Sequence, residues 1–260
     1  PSFTLDRVDL VVPRGYVMGL VGANGSGKTT TIKSALGMVH PDAGTVRVIG
    51  HDRLGVVLDH VPYAPSWPVQ TVGSAMRSFY PRWDDARFAS LTSEVGIPKA
   101  TKVGELSRGM GTRLQLAVAL SHGAELLILD EPTSGLDPLA RDEFVDLIAD
   151  YMTDESHSVL FSTHITSDLE RISDYVTVMS GGRVLETGPT DQLLDGYRLV
   201  RGGGAPPAEV TALAHGVRAH AAGWDALLAT EHTVGLNQAV IERPSLDDIV
   251  IRLAKERHHV

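Results

Sequence analysis

The sequence predicts an α/β fold in which strands and helices alternate around a glycine-rich turn. A block of helices is inserted into it, and a small α/β appendage follows at the end. Three observations carry this expectation. Tyr16 to Val21 reads YVMGLV, apolar on both faces as a strand buried between two layers is. A glycine-rich turn follows, and Lys28 to Val39 then sets Ile32, Ala35, Leu36 and Val39 at helical spacing. Further on, the apolar strands Leu126–Leu129, Ser158–Ser162 and Val176–Met179 alternate with the helical segments Pro138–Met152 and Ser167–Arg171.

The remaining elements follow in order. Phe3, Leu5, Val8, Leu10 and Val12 predict a strand ahead of the turn at Pro13-Arg14-Gly15. His40 to Gly44 reads as a turn, Thr45 to Ile49 as a short strand, and Leu54 to Leu58 as another buried strand. Residues 69–123 turn helical, broken at Pro81 and Pro98, and are expected to form a helical subdomain within a first domain spanning residues 1–200. Arg201 to Pro207, with three glycines and two prolines, is the expected linker. Residues 208–260 are expected as a small accessory region. Its last helix should start at Ser245, with Asp248 as capping-box acid and Leu246, Ile249, Val250, Leu253 and Ala254 as an apolar stripe. His258 and His259 read as a solvent-exposed ending rather than a metal site.

Bulk properties narrow the function. At 260 residues the chain can bury a substantial core. With 43% hydrophobic and 21% charged residues it belongs among soluble globular proteins. A net charge of −9 disfavours a partner held by phosphate-backbone electrostatics, so no nucleic acid is expected. The absence of cysteine excludes disulfides, thiolate chemistry and cysteine-ligated zinc. No stretch approaches the ~18 consecutive apolar residues of a membrane span, and no basic-then-apolar leader is visible, so the expected location is the cytoplasm.

Two motifs carry chemistry. The loop Gly22-Ala-Asn24-Gly25-Ser-Gly27-Lys28-Thr29, continued by Thr30, lies between a buried strand and a helix, the context a phosphate-binding loop requires. Its glycines let backbone N–H groups turn inward toward phosphate oxygens. Lys28 offers a point charge to the β- and γ-phosphates, and Thr29 a hydroxyl to Mg²⁺. The second motif is Leu126-Leu-Ile-Leu129-Asp130-Glu131, where an apolar strand delivers two carboxylates to its C-terminal end. Asp130 is placed to serve the metal shell, and Glu131 to orient or deprotonate water. A glycine-rich turn without ligand, and an acidic strand end before Pro132, are the bland alternatives to each alone.

A third motif, Leu106-Ser107-Arg108-Gly109-Met110, lies between the other two and opens a helix. Here the chain resembles the ATP-binding subunits of ABC transporters, whose signature reads LSGGQ. Ser134-Gly135-Leu136-Asp137 resembles that family's D-loop, and Ser162-Thr163-His164 its switch histidine after a strand. The resemblance covers residues 3 to about 195 and lies toward bacterial exporters with a separately encoded permease. It implies a P-loop core with an antiparallel β subdomain and the helical insert, binding ATP and Mg²⁺. It also implies a homo- or heterodimer in which Ser107 and Gly109 of one subunit close over the γ-phosphate at the other's loop. His164 is then expected to hydrogen-bond that phosphate and the attacking water. The chain is expected at the inner face of the cell membrane through its permease, whose coupling helix faces the segment holding Trp67 and Trp83.

The sequence departs from the family pattern at three places. Asp59 stands where the family usually has glutamine; its carboxylate can ligate a cation but cannot donate as an amide does, and it is expected as a metal ligand. Arg108 and Met110 replace glycine and glutamine of the signature. No aromatic is evident to stack on adenine, Phe3 being the nearest. Rival readings are a soluble ABC-type ATPase without a permease, a P-loop small-molecule kinase, and a binding module that has lost hydrolysis.

Overall fold

The computed structural model describes residues 3–236 and 239–256; the expected His258-His259 ending lies outside them. In chain order the elements are β1 (Val17–Val21), α1 (Lys28–Ala35), β2 (Leu54–Val57), α2 (Val69–Arg77), α3 (Asp85–Glu94), α4 (Arg108–Ser121), β3 (Leu126–Asp130), α5 (Pro138–Tyr151) and β4 (Ser158–Thr163). There follow α6 (Thr166–Ile172), β5 (Tyr175–Ser180), β6 (Arg183–Pro189), α7 (Thr190–Gly196), β7 (Tyr197–Gly202), α8 (Ala208–Leu213), β8 (His215–His220), β9 (Gly223–Ala229), β10 (Val240–Glu242) and α9 (Leu246–Glu256). They form two compact units, one of residues 10–20 and 28–163, the other of residues 1–9, 21–27 and 164–260.

The first unit holds strands in the order β2-β3-β4-β1. β2 pairs parallel with β3 from Leu54↔Leu126 to Val57↔Leu129, and β3 parallel with β4 from Leu126↔Ser158 to Asp130↔Ser162. Leu127, Leu129, Val159 and Phe161 are fully buried, which explains the unbroken apolar runs. α5 begins at an Asp137 N-cap, whose side chain accepts from Ala140 N at 3.0 Å, with Pro138 in the first turn. Phe144 of α5 meets Phe161 edge-on at a ring distance of 6.4 Å. α4 lies close on β2: a Cβ at Gly55 would stand 2.6 Å from Ala119 Cβ, so only glycine admits the helix there.

Residues 69–121 form the expected helical block around Val69, Val72, Phe88, Ile97, Val103, Leu114, Ala117 and Val118. Trp83 packs against this core and anchors its indole N–H on Asp85 Oδ1 at 2.9 Å, whereas Trp67 is 37% exposed.

The second unit pairs β5 with β6 antiparallel and carries an antiparallel sheet in the order β10-β7-β9-β8. β7 runs to Gly202, so the segment expected as a linker begins inside a strand and only residues 203–207 connect β7 to α8. Before α9, Ser245 Oγ accepts from Asp248 N at 3.1 Å while Ser245 N donates to Asp248 Oδ2 at 3.1 Å, the reciprocal capping box the sequence predicts. Leu246 and Ile249 are fully buried, and Leu246 N donates to Glu170 Oε1 of α6 at 2.5 Å. Arg252, 3% exposed, pairs with Asp225 and donates to Gly216 O at 2.8 Å.

Three local expectations differ. Residues 3–12 and 45–49 form no strand. Their alternation is real, yet Val11, Val46 and Val48 stay exposed and no ladder forms on these segments. The helix expected to Val39 stops at Ala35: Gly37 at φ +72° turns the chain, and Met38 N closes on Lys33 O at 2.8 Å.

Candidate functional site

α1 begins at Lys28, and β3 ends at Asp130 in the same unit. Lys28 is 5% exposed, and its Nζ lies 3.0 Å from Glu131 Oε1. Thr29 Oγ1 donates to Asp130 Oδ1 at 3.2 Å, and Ser162 Oγ donates to the same oxygen at 2.7 Å. Asp130 is buried, so those hydroxyls replace the water its charge requires. Glu131 holds φ +51°, an uncommon conformation for a residue with a side chain, at the point where the chain leaves the strand. Its N–H is fixed by Ser162 O at 3.1 Å.

The rest of the loop, Val21 to Gly27, belongs to the other unit. Gly25 and Gly27 hold φ +80° and +115°, and a Cβ at Gly22 would stand 2.2 Å from Met179 O. Ser26 is buried and its hydroxyl has no hydrogen-bond partner among the described residues, whereas Ala23, Asn24 and Gly25 are exposed at the lip. A tight glycine-floored turn with an unsatisfied buried donor fits a phosphate group. The oxygens of Thr29 and Asp130, already within hydrogen-bond reach of each other, fit a hard divalent cation that keeps other ligands from phosphate and water.

Ser107 is the N-cap of α4, its Oγ accepting from Met110 N at 3.2 Å, and Gly109 lies where a Cβ would stand 2.9 Å from Leu136 Cδ2. Signature loop and Ser134–Asp137 turn are therefore packed together within one subunit. His164 directly follows β4. Thr30 lies in the first turn of α1, its carbonyl accepting from Ser34 Oγ at 3.0 Å. Asp59 is exposed and pairs with Arg108. Sequence reasoning missed Ser162 as the support of Asp130; a serine within the buried run VLFST was the available signal, since a buried hydroxyl needs a partner. It also missed Gln115, which binds Leu58 N and O at 3.0 and 3.1 Å from inside α4.

The family profile described as ABC transporter matches residues 5–134, which include the loop, the signature and both carboxylates. The chain belongs to the ABC transporter family. This ABC subunit is 32% identical over 202 residues to the bacitracin transport ATP-binding protein of Bacillus licheniformis, covering 73% of this chain and 66% of that one. It is 34% identical over 209 residues to the Nod factor export ATP-binding protein I of a Burkholderia lata strain, covering 75% and 68% respectively. The chain thus spans roughly two thirds of the length of these relatives. A solved structure described as the ATP-binding subunit of an ABC transporter superposes with a TM-score of 0.65 at 24% identity, over 73% of this chain and 85% of that one, which shows the α/β fold of the cassette.

Proposed function

We propose that this ABC subunit hydrolyses ATP in a sandwich of two nucleotide-binding subunits and thereby drives a separate membrane permease, most naturally an exporter. The single observation that carries the reading is the convergence of Lys28 and Thr29 at the start of α1 on Glu131 and Asp130 at the end of β3. Names of similar proteins refer to bacitracin transport and Nod factor export, which supports the export class without fixing what this chain serves. No helix among the described residues is long and apolar enough to cross a membrane.

In this reading the backbone of Asn24, Gly25 and Gly27 and the start of α1, with Thr30, receive the phosphates. Lys28 exchanges Glu131 for phosphate oxygens. Thr29, Asp130 and Asp59 supply oxygens to Mg²⁺, which when bound neutralises phosphate charge. Glu131, released by Lys28, accepts a proton from the attacking water, and His164 orients that water and the phosphate. Ser107 and Gly109 of the second subunit close the site with the N-terminus of their helix. Closure and reopening move the permease, at the cytoplasmic face of the membrane.

Glu131→Gln tests it. The variant should bind ATP with near-native affinity, lose about a hundredfold or more of its turnover, and accumulate as a Mg-ATP-dependent dimer on size exclusion. Native turnover in the variant, with no dimer in either form, would show the sandwich reading to be wrong.

A further inference from the structure

Two departures from the family pattern, Asp59 for glutamine and Arg108 for glycine, meet in the fold. Nη2 of Arg108 donates to Oδ1 of Asp59 across a separation of 49 residues. α4 grips the segment around Asp59 by further contacts: Gln115 binds Leu58 N and O, and a Cβ at Gly111 would stand 2.6 Å from Val61 Cγ2. On its other flank the Arg108 side chain lies along Gly135, where a Cβ would stand 3.3 Å from Cδ and 3.6 Å from Nε. Gly135 also holds φ +74°, so both backbone conformation and the arginine call for glycine. Arg108 thus spans the chain at Asp59 and the turn at Ser134–Asp137, and each departure supplies the charge that balances the other. The pair is half-exposed, at 46% and 56%, so water and ions compete for it and it can exchange partners.

We propose that Arg108 is a positioning residue acting through Asp59: it holds the Asp59 carboxylate, and a divalent cation arriving with ATP draws that carboxylate away, leaving the guanidinium free beside Ser107. A glutamine at 59 has no charge to exchange, and a glycine at 108 has nothing to exchange with, so the two substitutions function only together. The inference rests on Asp59 being a ligand of Mg²⁺.

The test is equilibrium binding of a fluorescent trinitrophenyl-ATP to the full chain, titrated with Mg²⁺. The proteins are the native one, Arg108→Gly, Arg108→Lys, Asp59→Gln and Arg108→Gly with Asp59→Gln. Arg108→Gly should lower the Mg²⁺ concentration that half-saturates the enhancement of binding by about three- to fivefold, the range open to an exposed pair. Arg108→Lys should stay near native, because a lysine keeps the charge. In the Asp59→Gln background Arg108→Gly should shift nothing, and loss of a merely structural support would raise the midpoint in Arg108→Gly rather than lower it. All these positions are exposed, and thermal unfolding checks that each variant is folded. An unchanged midpoint in Arg108→Gly, or an equal shift in both backgrounds, overturns the proposal while leaving the magnesium reading intact. If Mg²⁺ fails to enhance binding to the native protein, the magnesium reading falls and the exchange falls with it.

Discussion

Lys28 Nζ lies 3.0 Å from Glu131 Oε1, with 5% and 13% of the two side chains exposed. The two charges therefore neutralise one another. In the proposed function, the lysine reaches phosphate and the carboxylate reaches water only once the two have parted. Glu131 makes this contact from a left-handed backbone, an uncommon conformation for a residue with a side chain.

Lys28→Met should strip a largely buried carboxylate of its cation and lower stability by about 3 kcal/mol in urea unfolding. Adding Glu131→Gln removes the charge that the lysine balanced and should recover about half of that loss. Equal stability of the single and double variants would mean that the pair is not coupled.

Ser162→Ala removes one of two hydroxyls that hold Asp130 Oδ1. A hydrogen bond to a buried charge contributes about 2 kcal/mol, and the variant should lose that in chemical denaturation. ATP affinity in the presence of Mg²⁺ should weaken as well, since Asp130 then rests on Thr29 alone. Calorimetric titration with Mg-ATP measures it.

His122 ends α4, buried, with its ring stacked 3.9 Å from Tyr80 and its Nδ1 without a hydrogen-bond partner among the described residues. Burial holds its pKa below the ordinary histidine value. The unfolded chain therefore takes up the proton first, at about pH 6.5, and the folded chain only at lower pH. Stability from this group is full above that value and declines as pH falls toward the folded pKa. Urea midpoints at pH 7.5 and 5.5 should differ more for the native protein than for His122→Phe, which keeps the stacked ring and cannot titrate.

Arg252 is 3% exposed and serves Asp225 together with the carbonyls of Gly216 and Asp225. Arg252→Ala should cost about 3 kcal/mol in unfolding of the tail, and Arg252→Lys should restore little, because one ammonium cannot reproduce the forked contacts. Hydrogen exchange over residues 197–256 reads the loss locally.

The parts of the site carried by consecutive residues were legible in the sequence. The loop at Gly22–Thr29, the Asp130-Glu131 strand end, the helical block and the capping box at Ser245 each declare themselves within a few positions. Contacts between distant residues were not. Ser162 meets Asp130 across 32 residues and Arg108 meets Asp59 across 49, and neither pairing leaves a periodic trace. The early strands misled because alternation encodes an apolar face but not the neighbour that covers it, as exposed Val11 and Val46 show. α1 came out short because a single glycine at 37 outweighs the spacing of Leu36 and Val39.

Gln115 bonds both backbone groups of Leu58 with its side-chain amide, one residue beyond the last paired residue of β2. The side chain imitates a peptide unit and carries on, from a helix, the backbone pairing that β3 gives to Val57. Gln115 is 2% exposed, so no water stands ready to take its place. Replacing it by leucine would fill the same space while leaving two backbone groups hungry, so the chain would come loose where β2 ends and the segment leading to Asp59 begins.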